Sequence, residues 1–370
     1  MDRRAPDPYH YEGFDSLADA QSRESNVTAE KINVITGATG QLGSHIAEQL
    51  REQGEHVRAL VRPGSDTTFL QSIGVELAHG DLLDPASIRR ALEGASIVYH
   101  CAARVSDWGA WPAFQKEAVD STRNLIDACK VVKVGRLLHA SSISVYGHPK
   151  VPGEITEETP LGQGFWLWDY YPRAKLLAER MAWEYPEVTV VRPSWIYGPR
   201  DRVTIPRVVP ALRARRVPIL GSGDNLLNII YAGDVAAGAI LAANHPQARG
   251  QAYNLCSQGE VKQVDLLNAL TDLLELPRIT KHVPYGLALR FAFLKELFGK
   301  LIGQKTPPAI TRRAIYLIGR PTMYSIAKAR AQLGWQPRVT IQEGVRRAVA
   351  WYLGKEGLPA GTLKAPVIPV

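Results

Sequence analysis

The sequence predicts an α/β fold: a doubly wound parallel sheet followed by a smaller α/β region. Three observations carry this prediction. From residue 31 to about 193, short β-branched runs alternate with longer helical stretches. The first run, Ile32-Asn-Val-Ile-Thr36, leads directly into Gly37-Ala-Thr-Gly40-Gln-Leu-Gly43. Beyond Pro193 the alternation stops, and Pro206, Pro210 and Pro218 interrupt the periodicity.

Taken in order, strands are expected at 31–36, 56–61, 76–78, 96–101, 136–140 and 188–192, with helices at 41–53, 85–92, 114–131 and 171–184. Such an order implies right-handed βαβ units. Ile97-Val98-Tyr99 reads as an apolar run of a strand buried on both faces. Residues 31–193 form one expected domain, to which about 231–253 return. Segments 194–230 and 254–356 are expected to assemble a substrate-binding cap above the carboxyl ends of the strands, where open α/β sheets bind ligands. Residues 1–30, polar and lacking an apolar core, read as a disordered tail, and the Pro/Gly-rich 357–370 as a flexible one.

With 44 Lys+Arg against 36 Asp+Glu the formal charge is +8. The basic residues are scattered, which argues for a solvated basic face and against a nucleic-acid partner. Three cysteines without CxxC spacing suggest neither a disulfide framework nor a metal site, and fit a reduced cytoplasm. No uncharged apolar run reaches the roughly 18 residues that a membrane span needs. The nearest, 285–304, contains Arg290, Lys295, Glu296 and Lys300; its helical spacing reads as a helix packed on a core, with membrane-surface contact as the lesser reading.

Gly37, Gly40 and Gly43 allow a tight turn, close approach of backbone to a pyrophosphate, and close helix–strand packing, at a helix N-terminus that favours negative charge. A dinucleotide site is therefore expected. The second strand ends in Arg62, with Arg58 inside it and no carboxylate from 56 to 65. A guanidinium suits a 2′-phosphate, so NADP is preferred over NAD. Asp81 is read as an adenine-side contact, or else as a turn aspartate. Tyr-x-x-x-Lys occurs three times, at Tyr146, Tyr171 and Tyr324. Only Tyr171 and Lys175 combine the glycine turn, a preceding strand that runs into Ser142, and a following helix in the right order.

The set Gly37-Ala-Thr-Gly-Gln-Leu-Gly43, Gly80-Asp-Leu82, His100-Cys-Ala-Ala103, Ser141-Ser-Ile-Ser-Val-Tyr-Gly147, Tyr171-x-x-x-Lys175, Arg192-Pro193 and Tyr231-Ala-Gly-Asp-Val235 resembles the extended short-chain dehydrogenase/reductases, Rossmann-fold enzymes of the epimerase/dehydratase superfamily. The resemblance implies a catalytic triad of Ser142, Tyr171 and Lys175. It also implies cofactor contacts from Gly37, Thr39, Gly40, Gln41, Leu42, Gly43, Arg62, Asp81, Leu82, Cys101, Ala102, Ala103, Tyr171, Lys175, Pro193 and Ser194. One departure concerns the central helix, where Ala118 stands in place of an asparagine tied to the proton relay of similar enzymes.

Elimination chemistry lacks its acid pair, because Ile143-Ser144 follow the catalytic hydroxyl. The groups that grip a sugar diphosphate in similar enzymes are replaced by Arg192-Pro-Ser-Trp195 and Leu227. Trp108, Trp111, Trp168 and Trp195 suit an apolar substrate, although some such rings serve core packing or a homodimer contact. The segment from Gly319 to Pro337 is similar to the branch of 3β-hydroxysteroid dehydrogenases and sterol or β-keto-acid reductases. The expectation is interconversion of a secondary alcohol and a ketone on a largely apolar small molecule. The alternatives are a sugar-nucleotide epimerase with tightly bound NAD and a non-catalytic NADP sensor.

Overall fold

A computed structural model of the chain describes residues 31–151, 153–257, 261–320 and 322–355; both expected tails lie outside these. The first half runs β1 (Ile32–Thr36), α1 (Gln41–Glu52), β2 (His56–Val61), α2 (Thr68–Ser72), β3 (Glu76–His79), α3 (Pro85–Leu92), β4 (Ala95–His100), α4 (Trp111–Phe114), a π-turn (Gln115–Asp120), α5 (Ser121–Val132) and β5 (Arg136–Ala140). A 3₁₀ turn (Ile143–Tyr146), α6 (Tyr170–Ala182) and β6 (Val188–Pro193) follow. Each expected strand is present within a residue of its predicted ends, the margin over which strand termini fray.

After β6 come β7 (Trp195–Tyr197), α7 (Ile205–Arg213), β8 (Ile219–Leu220), β9 (Leu226–Leu227), β10 (Ile229–Tyr231), α8 (Ala232–Asn244) and β11 (Ala252–Leu255). The chain continues with β12 (Val261–Lys262), α9 (Gln263–Leu273), β13 (His282–Val283), α10 (Tyr285–Leu301), α11 (Arg312–Gly319), α12 (Ala327–Leu333) and α13 (Ile341–Lys355).

The main sheet is all parallel, in the order β11-β6-β5-β4-β1-β2-β3. Order reverses between β1 and β4, so the crevice at the carboxyl ends of these two strands is the topological switch point. The strand period of two sorts side chains into two layers. Ile35, Tyr99, Leu138 and Val191 meet Ile46, Leu50, Val235 and Ala239 from α1 and α8. Val34, Val98, Leu137 and Val190 meet Ile88, Leu92, Leu125 and Ile126 from α3 and α5.

Three findings change the expected layout. The sheet has a seventh strand, β11, so the returning segment extends to Leu255. Tyr324, Ile326, Ala329 and Trp335, expected in the cap, instead pack in the layer beside α8, where the Trp335 indole donates to the Asp234 carbonyl at 2.9 Å. The remaining late elements make short strand pairs, β7 with β10, β8 with β13 and β9 with β12, and a helical core of α7, α9 and α13 around Val209, Leu212, Leu270 and Val349.

The third finding is α10. It is a helix as expected, but only Ala288, Ala292, Glu296 and Gly299 of it are buried, while Leu287, Phe291, Leu294 and Phe298 face outward. Periodic spacing reveals a helix without saying which stripe is covered. The cover here is α11, which packs through Ile315 onto Ala288 and Ala292.

Candidate active site

The glycine loop opens at the end of β1. Gly37 has φ +70°, and a Cβ there would stand 2.6 Å from the Ala102 nitrogen, so the loop and the segment after β4 approach as only glycine permits. A Cβ on Gly43 would meet the Gly37 carbonyl at 2.4 Å, so that glycine lets α1 start tight against the turn. The helix has no side-chain cap at Gly40, leaving its first amides for an outside acceptor. Thr39, Gln41 and Leu42 are partly exposed on this loop, and the Gln41 amide donates to the Gly198 carbonyl at 3.3 Å. This cradle fits a dinucleotide pyrophosphate.

The two arginines of β2 separate cleanly. Arg58 is engaged by Glu76 at 2.7 Å and by the Ala91 and Glu93 carbonyls. Arg62 is exposed just past the strand and makes no ion pair among the described residues. Asp81 holds the Leu83 amide at 2.8 Å, which is the turn role, while remaining partly exposed. Asn124 donates to the Leu82 carbonyl at 2.9 Å, fixing the loop after β3 to α5. Cys101, Ala102 and Ala103 follow β4 beside Gly37. Pro193 and Ser194 are buried at the end of β6, where the Ser194 amide donates to the Leu255 carbonyl at 3.1 Å.

Tyr171 and Lys175 sit one turn apart on α6. Lys175 is buried and donates to the Ala140 carbonyl at 2.7 Å, which draws α6 to the end of β5, two residues before Ser142. Ser142 caps the 3₁₀ turn, its hydroxyl accepting from the Ser144 amide at 3.2 Å. The other two Tyr-x-x-x-Lys pairs are used otherwise. The Tyr146 hydroxyl is buried between Asn254 and Arg192, at 2.8 Å from each, and Tyr324 pairs with Ile155 outside any helix.

A buried network outside the sequence motifs holds this end of the sheet. Glu179, one turn beyond Lys175, accepts from Arg192 at 2.6 Å and from the Ser141 hydroxyl. It therefore links α6, β6 and the residue preceding Ser142. The only cue in the sequence is its position four residues after Lys175. Ala118 lies in the π-turn, buried against Phe114 and Ala174, and its carbonyl accepts from Thr122 at 2.6 Å. Such turns concentrate at functional sites.

Beside Tyr171 a small cleft is walled by Trp108, Phe114, Trp166, Trp168 and Tyr170 and by Lys300, Arg312 and Arg313. Of the four tryptophans expected to meet substrate, Trp108 and Trp168 line it. Trp111 packs on Tyr170 from behind at 5.8 Å. Trp195 lies apart, in the core of α7 and α13, with its indole bonded to Thr204 at 3.0 Å. Trp168 is held at φ +69° by the turn around Asp169, a conformation rarely adopted outside glycine. Asp169 accepts from the Trp166 amide at 3.1 Å and bonds His148, whose ring stacks on Trp166 at 3.9 Å. Burial works to raise the Asp169 carboxyl, but the His148 bond and the Arg313 charge outweigh it and hold the group below its ordinary range.

The charges in the cleft are unequally matched. Glu296 is paired with Arg312 at 2.6 Å, Asp107 with Arg207 at 3.7 Å, and Asp169 with His148. Arg313 lies over the Tyr171 ring at 4.5 Å, and Lys300 over Trp108 at 4.3 Å. Neither forms an ion pair among the described residues. Two cations against aromatic faces, beside the Tyr171 phenol, suit an anionic substrate with an apolar body.

Comparison with known proteins identifies the family and the fold. Residues 33–256 match the model of the NAD dependent epimerase/dehydratase family. The chain is 30% identical over 332 residues to 2-alkyl-3-oxoalkanoate reductase of Shewanella oneidensis, covering 85% of each protein. It is 29% identical over 335 residues to mouse (Mus musculus) sterol-4-alpha-carboxylate 3-dehydrogenase, decarboxylating, covering 87% of this chain and 90% of that one. Among solved structures, UDP-glucuronic acid 4-epimerase from Bacillus cereus in complex with NAD shares the fold, with TM-score 0.68 and 20% identity over 88% of this chain and 99% of the other.

Proposed function

Since the chain belongs to the NAD dependent epimerase/dehydratase family, we propose that it is a reductase or dehydrogenase acting at the 3-position of an apolar 3-oxo or 3-hydroxy carboxylic acid, with NADP as its preferred cofactor. The observation that carries this reading is the cleft beside Tyr171, aromatic in its walls and holding two cations, Lys300 and Arg313, that form no ion pair among the described residues. Two relatives support it, because their names specify a 3-oxoalkanoate and a sterol carboxylate.

In this reading the glycine loop and the α1 N-terminus hold the pyrophosphate, and Arg62 receives the 2′-phosphate. The bound nicotinamide supplies or accepts the hydride. Tyr171 exchanges a proton with the substrate oxygen. Two cations flank that phenol, Lys175 one turn along α6 and the Arg313 guanidinium over the ring at 4.5 Å. Ser142 orients the same oxygen. Lys175 is itself positioned by the Ala140 carbonyl, and Arg313, over the Tyr171 ring, receives the carboxylate.

The test is to mix the purified protein with NADPH or NADH and follow the reduced-nicotinamide absorbance. The substrate panel is long-chain 2-alkyl-3-oxo acids, 3-oxosteroid carboxylates, neutral ketosteroids and sugar nucleotides. Oxidation of NADPH by a carboxylate-bearing ketone is expected. Interconversion of sugar nucleotides without net cofactor turnover would overturn the reading in favour of an epimerase, and binding of NADPH with no turnover in either direction would favour a sensor.

A further inference from the structure

The helix α10 is inverted relative to an ordinary surface helix. Its inward face is made of Ala288, Ala292 and Gly299, with Glu296 neutralised there by Arg312 at 2.6 Å. The large apolar residues face solvent: Leu287 is 60% exposed, Phe291 49%, Leu294 60%, Phe298 60% and Leu301 76%. Among the described residues, seven of the thirteen exposed large hydrophobics lie between 287 and 302, which makes this a patch rather than scatter.

The charge around the patch bears on what could cover it. Arg290 and Lys295 are exposed on the helix and Lys305 is exposed just beyond its end, while Glu296, the lone acid between 285 and 305, is buried in its ion pair. A stripe spaced 4-3-4-3 could in principle seat a second copy of the same helix. Self-pairing, however, offers Arg290 and Lys295 no exposed acid in either orientation, because Glu296 is buried. An acidic surface meets both requirements, apolar depth and negative charge. No described helix is long and apolar enough to cross a membrane, so α10 would lie in the interface rather than span it.

We propose that α10 seats the protein on an anionic lipid bilayer, with Leu287, Phe291, Leu294, Phe298 and Leu301 among the acyl chains and Arg290, Lys295 and Lys305 at the phosphates. The same helix borders the substrate cleft: Gly299 packs against the Trp108 ring, and Glu296 and Lys300 line the opening. Docking therefore brings the cleft to the source of an apolar substrate. This last step rests on the function proposed above, whereas the lipid contact does not.

The experiment is co-sedimentation of the full-length protein with vesicles of phosphatidylcholine alone or with added phosphatidylglycerol, alongside light scattering in their absence. Binding to the anionic vesicles is expected. Leu294→Asp with Phe298→Asp should abolish it, while Arg290→Gln with Lys295→Gln should weaken it roughly 10- to 30-fold, the loss of two basic contacts. Unchanged thermal melting and NADPH binding would show that the variants remain folded. Failure to sediment with either vesicle overturns the proposal. So does a stable dimer in solution that Leu294→Asp and Phe298→Asp dissolve, because a second copy then covers the stripe. Neither readout requires turnover, so the lipid contact and the proposed chemistry fail separately.

Discussion

Arg58 and Arg62 are chemically identical and four positions apart, yet only Arg62 is free to meet a phosphate. Arg58 already serves Glu76 and two carbonyls at the end of α3. Arg62→Asp should therefore move cofactor preference from NADP towards NAD, while Arg58→Gln should cost stability without changing the NADP-to-NAD ratio; a ratio indifferent to Arg62 would place the 2′-phosphate elsewhere. Tyr171→Phe removes a proton and no phosphate contact, so turnover should fall by about 10²- to 10⁴-fold with cofactor affinity within a few-fold. Arg313→Gln should lower kcat/KM for a 3-hydroxy acid by roughly 10- to 100-fold, the worth of a charge-assisted hydrogen bond, and leave its methyl ester nearly unaffected. Equal losses on acid and ester would show that Arg313 does not receive the carboxylate. The tight glycine turn and the one-turn spacing of Tyr171 and Lys175 were legible because each depends on neighbours in sequence. Arg313 was not, since its meeting with Tyr171 depends on how α11 packs against α6.

At the scale of elements, α6 is positioned by two buried attachments one turn apart, Lys175 to the end of β5 and Glu179 to Arg192 on β6. Removing the second strands a buried guanidinium. Glu179→Ala should thus destabilise the fold by about 3–5 kcal/mol, measurable as a lower midpoint in urea; a variant as stable as the parent would show that the network is dispensable. Strands and helices of the first half were legible from alternation and from the glycine turn. The strand β11 was not, because four residues after a turn at Gly250 carry too little pattern to separate strand from loop. Nor could periodicity tell the inward face of α10, since its small residues and its large ones recur at the same spacing.

For the molecule as a whole, several histidines are folded into the interior without charge. His100 is held near pH 3 by burial, between Thr36 at 2.7 Å and Thr122 at 2.9 Å, and burial also lowers His139 and His45. Between these folded values and the unfolded value near 6.5, the unfolded chain binds more protons than the native one, so stability falls as pH drops below about 6.5. Thermal midpoints measured at pH 7.5 and 5.5 should show the lower value at the lower pH, and His139→Phe should narrow the gap. A midpoint that rises on acidification would contradict the buried neutral state. The doubly wound sheet was readable in outline, but the return of Tyr324 and Trp335 to the main core was not, because that contact joins segments about a hundred residues apart.

The cysteines carry a practical consequence. Cys129 and Cys256 are buried, and burial pushes the thiols of Cys101 and Cys129 up to about 12, far from the thiolate that alkylating reagents need. The folded chain is therefore a quiet background for maleimide chemistry. A single cysteine placed at Phe298 could carry an environment-sensitive dye, and its emission would report directly whether that side of α10 is wet or covered.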